Sequence, residues 1–250
     1  MIVPAYSQQL LVAVLGLVGL QVLANAVDWV LRAPRPGRLV QLAEFSRSWL
    51  ARLWLGDVVR VLFYLLSPYC VLTRGLASPL DFGLADLEWV SGLGLTLAIG
   101  AGSIVLLVAV WSQYVRRIGG LAVPWQTHRV AQRPGWPFAL REALLLESWW
   151  ALCRSPMLQL AGPYHGVYLG LVLALSAGLL NPRTRHQLRT PGFQEEVVLT
   201  ASLAILTATL YVFVHNLWLC IALHFALRLT VLALLRHSPT SGHVSAPSPA

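Results

Sequence analysis

Lysine is absent: all 18 basic residues of this 250-residue chain are arginine. That excludes chemistry needing a side-chain amine, such as Schiff-base catalysis, pyridoxal phosphate attachment and the lysine of a phosphate-binding loop. Cysteine is scarce. Cys70, Cys153 and Cys220 lie far apart in apolar stretches with no C-x-x-C pair. They are expected as small buried hydrophobes, and a disulfide scaffold is excluded. Charge is scarce too, at 11% of residues against about 25% in an ordinary soluble domain.

What fills the chain is apolar: 57% of residues are hydrophobic and the mean hydropathy is +0.66. A soluble core of this size cannot hide that much apolar surface. The composition predicts an all-α, polytopic transmembrane helical bundle, with the lipid bilayer as its main partner. The net charge of +8 could point to nucleic acid. The arginines, however, sit in short loops between apolar runs, the positive-inside pattern, so no nucleic-acid partner is expected.

Spanning about 30 Å of hydrocarbon takes about 20 helical residues. Seven segments are candidates: 9–31, 58–73 (short, with Pro68), 89–111, 138–157, 164–180, and two within the apolar block 197–235. His215-Asn216 is the only polar break in that block and predicts a tight turn between two helices. One long tilted helix is the alternative. Arginine-rich loops follow spans one, three, five and seven. The loop with Asp81, Asp86 and Glu88 and the uncharged loop after span four alternate with them. This predicts an N-terminus outside and a C-terminus in the cytoplasm. Residues 39–55 mix arginines with Leu, Phe45, Trp49 and Trp54, and read as an amphipathic helix on the cytoplasmic face. Residues 1–236 are expected to form one membrane domain. The Pro/Ser-rich stretch 237–250 is expected to be a disordered tail.

A charge near the bilayer centre costs at least about 2.5–3.5 kcal/mol on insertion scales, so each one needs a partner or a purpose. Asp28 with Arg32, and Asp57 with Arg60, are spaced to form simple ion pairs. Glu142 lies near the cytoplasmic edge and is expected to pair with Arg141 or the loop arginines. Glu147 and Arg154 differ. They are seven residues apart, two helical turns, and share one face near mid-membrane. His224 lies at a comparable depth in the last span, with Arg228 one turn below it. An acid, a histidine and two arginines therefore meet inside the bundle. They form either a packing network or a hydrophilic site that activates water.

The stretches FALREALLLESWWALCRSPM (138–157) and LYVFVHNLWLCIALHFALR (210–228) carry a family resemblance. They resemble the CPBP family of CAAX prenyl proteases and bacteriocin-processing enzymes, which are polytopic intramembrane endopeptidases. The resemblance extends loosely over residues 80–236. It implies that Glu147, Arg154 and His224 fall on motif positions, and that a glutamate and a histidine activate water for peptide hydrolysis. It also implies a location in a prokaryotic cytoplasmic membrane. The sequence departs from the pattern at four places. Arg154 follows Glu147 by seven residues where the pattern has about five. Ser148 replaces the second glutamate, Asn181 stands near the expected middle histidine, and Arg228 replaces the final asparagine.

On this reading Glu147 is the general base, tuned by Arg154, and His224 helps to hold the water. Arg228 positions His224 or binds a substrate carboxylate. The substrate would be a membrane-associated peptide. No cofactor is implied, and one glutamate with one histidine is a poor zinc set. His215 and His224 are placed unsuitably for one haem. The rival reading is a catalytically inactive CPBP-like scaffold or chaperone that retains the fold, its Glu/Arg/His cluster being structural.

Overall fold

In a computed structural model, the structure describes residues 5–32, 60–118, 135–190 and 194–237. The expected interfacial helix 39–55, Asp57, the side chains of Asp28 and Arg32, and the tail after His237 lie outside the described residues. Every element among the described residues is a helix. We number them α1 (Ala5–Arg32), α2 (Leu62–Thr73), α3 (Trp89–Ile118), α4 (Gly135–Leu180), α5 (Pro182–Arg189), α6 (Gln194–Val214) and α7 (Leu217–His237).

Five of them, α1, α3, α4, α6 and α7, are long and apolar enough to cross a bilayer. Seven spans are not reached by this measure, for two local reasons. Helix α2 covers only about 18 Å at 1.5 Å per residue. Its first part, Leu62–Leu66, winds as a π-helix directly ahead of Ser67-Pro68. Proline has no N–H to return to the preceding turn, and a widened turn accommodates it. Helix α4, in turn, carries both the fourth and the fifth expected spans in one run.

That run is a hairpin. Gly162 has φ 79° and ψ 173°, which breaks the helix into legs 135–161 and 163–180. A Cβ at Gly166 would fall 2.4 Å from the Met157 carbonyl oxygen, and one at Gly170 would fall 2.5 Å from the Arg154 Cα. The two contacts step in opposite directions along the chain, so the legs run antiparallel with their backbones nearly touching. Small residues permit this approach, which in lipid supplies the packing that the hydrophobic effect cannot.

The apolar block 197–235 is likewise two helices, broken at His215-Asn216 as expected, and they too run antiparallel. Cys220 Sγ reaches Thr207 O at 3.5 Å, and Arg228 Nη2 reaches Thr200 Oγ1 at 3.4 Å. The core lies where the α4 hairpin meets α6–α7, with α1 and α3 packed around it. Outward faces carry large apolar side chains, such as Val105 at 69% and Leu97 at 63% exposure, which suit lipid and not water. Cys153 and Cys220 are buried as expected, but Cys70 is exposed on α2. It shares the outward face of α2 with the exposed Leu66 and Tyr69.

The connections segregate to two ends. Gln159 near the α4 turn donates to Asp81 Oδ2 (2.9 Å), Tyr211 donates to Asp81 O (3.0 Å), and Leu217 N donates to Gly83 O (3.0 Å). The loop 74–88 and both hairpin turns thus share one end. At the other end Trp29 meets His186, Arg60 meets Glu142 and Tyr114 meets Glu195.

Gly170→Ala is expected to lower stability by about 1–3 kcal/mol, because backbone blocks the new methyl. Gly178 lies on the same leg, but a Cβ there would meet nothing within 4 Å. Gly178→Ala is expected to be neutral or stabilising by up to about 1 kcal/mol. Thermal unfolding of both variants in detergent checks this, and equal effects would contradict the close-packed hairpin.

Candidate functional site

Helix α7 is aimed by its first turn. Three of the N–H groups that a helix start leaves open are taken. Leu217 N donates to Gly83 O. Trp218 N and Leu219 N donate to Asn216 Oδ1 at 2.9 and 3.2 Å. Cys220 N donates to Asn216 O, the first bond of the helix itself. Asn216 is therefore a helix cap, and His215 before it adopts a left-handed φ of 48° to make the turn. Two turns further on, α7 presents His224 to the first leg of α4.

There His224 and Glu147 meet, each 0% exposed, with Nδ1 and Oε1 3.0 Å apart. Arg228, one turn along α7, donates its Nε–H to His224 Nε2 at 2.9 Å. Trp150 stacks on the imidazole at 5.3 Å and 16°. The direction of the proton follows from the donor inventory. A guanidinium only donates, so Nε2 must accept, the ring proton sits on Nδ1, and Nδ1–H donates to Glu147. The chain carboxylate–imidazole–guanidinium is thus ordered, with a neutral ring between opposite charges.

Glu147, His224 and Arg228, three of the four expected site residues, are in one hydrogen-bonded line. Arg154, the fourth, is buried elsewhere, with its Cζ 4.0 Å over the Tyr211 ring. Both nitrogens of His224 are occupied, so in this geometry the imidazole orients Glu147 and is not itself open to a water. Glu147 Oε2 is buried without a hydrogen-bond partner, as are Arg154 Nε and Nη2 and Asn216 Nδ2.

Glu142 does not rely on Arg141 alone. Its two oxygens accept from Arg60 Nη1 and Nη2 at 2.9 and 2.7 Å, a two-pronged pair, with Arg141 at 3.4 Å. This places Glu142 in an ion pair at the bundle's end, one helical turn and more from the buried line. Asn181 caps α5, accepting from Arg183 N at 2.9 Å, so the residue near the expected middle histidine has a structural task. His165 is exposed at the α4 turn. His215 stands beside Tyr211, ring centroids 5.6 Å apart. Burial and then the Arg154 charge hold its imidazole below the usual histidine range. Among the described residues no three His, Cys, Asp or Glu side chains converge on a point.

Sequence reasoning missed three partners: Trp150, Tyr211 and Thr200. Each is an ordinary-looking member of an apolar run, and its role arises only from the helix it faces. Comparison with family models, with curated proteins and with solved structures gives no match.

The ordered line predicts a single tautomer. Nitrogen NMR at neutral pH should find the His224 proton on Nδ1 in the parent. Arg228→Met removes the donor to Nε2 and should let the ring populate both tautomers. An Nε2-protonated ring in the parent would overturn the assignment.

Proposed function

We propose that the chain is an integral membrane hydrolase of the CPBP-like kind, a glutamate-dependent intramembrane endopeptidase acting on membrane-associated peptides. One observation carries the reading. Glu147 has one oxygen fixed by His224 and the other, Oε2, buried and without a partner. A buried carboxylate oxygen with no hydrogen bond is costly. It is relieved by a water, and a water held there is aligned for proton removal.

The roles follow from the contacts. Glu147 Oε2 takes the proton of the attacking water. His224 Nδ1–H keeps the carboxylate in place, and Arg228 keeps the imidazole in the tautomer that can do so. Trp150 covers the ring and excludes bulk solvent. Arg154 contributes positive potential on the same helix. Counting α2 and the two legs of α4 as crossings gives the seven spans that the arginine alternation requires. The loop 74–88 and the two hairpin turns then face outside, and the arginine-bearing ends face the cytoplasm. The N-terminus lies outside and the C-terminus in the cytoplasm, in a prokaryotic cytoplasmic membrane.

A second reading is favoured by a specific observation. Both nitrogens of His224 are satisfied and the ring is fully covered, which is also what a purely structural network requires. In that case the chain is a catalytically silent CPBP-like scaffold.

Peptide hydrolysis by the purified protein in nanodiscs, against prenylated and unprenylated peptides, separates the two. Glu147→Gln keeps the size and an acceptor for His224 but loses the base. It is expected to lower turnover by about 10²–10⁴-fold with thermal stability largely kept. Under the scaffold reading the parent has no turnover, and Glu147→Ala lowers stability by about 3–5 kcal/mol, the cost of leaving a buried charge unpaired.

A further inference from the structure

The buried polar atoms that the Glu147–His224–Arg228 line leaves unused gather around Arg154. Arg154 is 2% exposed and lies against the last turn of α6, next to the α6–α7 turn. Tyr211, on the last turn of α6, is under its face. The Cys220 thiol, on the first turn of α7, and His215, in the turn, both lie within its field. Asn216 lies between Tyr211 and Cys220 along the chain, in the same turn.

Two of the three guanidinium nitrogens, Nε and Nη2, are buried and have no hydrogen-bond partner. Those two nitrogens share one edge of the planar group, and their N–H bonds point in parallel. This is the edge that holds the two oxygens of a carboxylate. No acid among the described residues is bonded to this edge. Glu147 gives Oε1 to His224 and leaves Oε2 unpartnered. Asp81 Oδ2 accepts from Gln159 and Ser78 N. Glu142 is on Arg60, and Glu195 is on Tyr114. Asn216 spends Oδ1 on the α7 cap and keeps Nδ2 unpartnered and buried. A folded chain does not ordinarily leave buried donors such as these open.

We propose that the crook of the α6–α7 turn is a carboxylate-binding site, with Arg154 gripping the ligand's two oxygens through Nε–H and Nη2–H and Asn216 Nδ2 donating beside them. One guanidinium edge and one neutral amide match the single charge of a carboxylate better than the nearly double charge of a phosphate monoester. The carboxylate comes either from the head of a membrane-borne acyl chain or from a small water-soluble acid. The site stands whether or not Glu147 hydrolyses anything, because Glu147 is held by His224 and not by Arg154.

The test is thermal unfolding and calorimetric titration of the full chain in neutral detergent with dodecanoate, methyl dodecanoate and acetate. Dodecanoate below its micellar concentration is expected to raise Tm by about 2–4 °C or more, and the methyl ester is expected to leave it unchanged. A response to acetate as well identifies a water-soluble acid. A response to dodecanoate alone identifies a membrane-borne one. Arg154→Lys retains the charge but loses the two-pronged edge and should bind at least about tenfold more weakly. Asn216→Asp retains the cap oxygen but replaces the donor with a negative charge, and should abolish binding while the helix cap persists. Equal stabilisation by the methyl ester, no response to either acid, or unchanged affinity in both variants would each overturn the site.

Discussion

A neutral imidazole between a buried carboxylate and a buried guanidinium is the contact on which the bundle's centre depends. Glu147 and Arg228 come from different hairpins, and the His224 ring touches both. Placing two opposite charges directly together in a low-dielectric interior gains Coulomb energy but loses most of it to desolvation. The ring between them satisfies an acceptor on one side and a donor on the other. It also fixes the distance between α4 and α7 at a depth where lipid-facing helices have little hydrophobic reason to choose one register. A one-residue slip of α7 would turn His224 about 100° away from Glu147 and leave three polar groups unsatisfied. The polar line therefore specifies register, while the close leg-to-leg packing of α4 and the apolar contacts supply cohesion.

The register is held from the end as well as the middle. Asn216 completes the first turn of α7, and the Gly83 carbonyl takes the remaining N–H. The loop that provides Gly83 also receives Tyr211 and Gln159 through Asp81. One short segment thus ties α6, α7 and the first leg of α4 together at their shared end. His224 lies two turns from this clamp, close enough that its height is set by the clamp and its rotation by Glu147.

Much of this was legible in the sequence. The composition predicts the helical membrane class, and His215-Asn216 marks the break in a run otherwise long enough for a single helix. The two-turn spacing from Glu147 to Arg154, and the one-turn spacing from His224 to Arg228, placed the buried charges on defined helix faces. Periodicity says which residues share a face, but not which face meets which. Hence Glu142 taking Arg60 from a distant helix, Tyr211 lying under Arg154 and Trp150 covering His224 could not be read. The reversal within α4 is legible as an uncharged loop between the spans 138–157 and 164–180. What could not be read is that helix continues up to residue 161, so that Gly162 alone makes the turn. In helix α2 the shortness and Pro68 were legible, but not the π-turn that winds directly ahead of the proline.

The two buried arginines among the described residues show how identical side chains acquire different tasks from their neighbours. Arg228 is consumed by structure. Its Nε–H holds the imidazole, and an Nη2–H reaches Thr200 on the antiparallel helix. Arg154 has one face against an aromatic ring, which steadies a cation without using its hydrogen-bonding edge. Cation–π contact leaves N–H groups in the guanidinium plane free, whereas a salt bridge would occupy them. The Tyr211 hydroxyl is itself fixed to the Asp81 carbonyl, so the ring cannot turn away when the guanidinium gains a partner. Burial on aromatic support, with the edge open, is the arrangement that keeps a guanidinium in the membrane interior while leaving it able to recognise an anion.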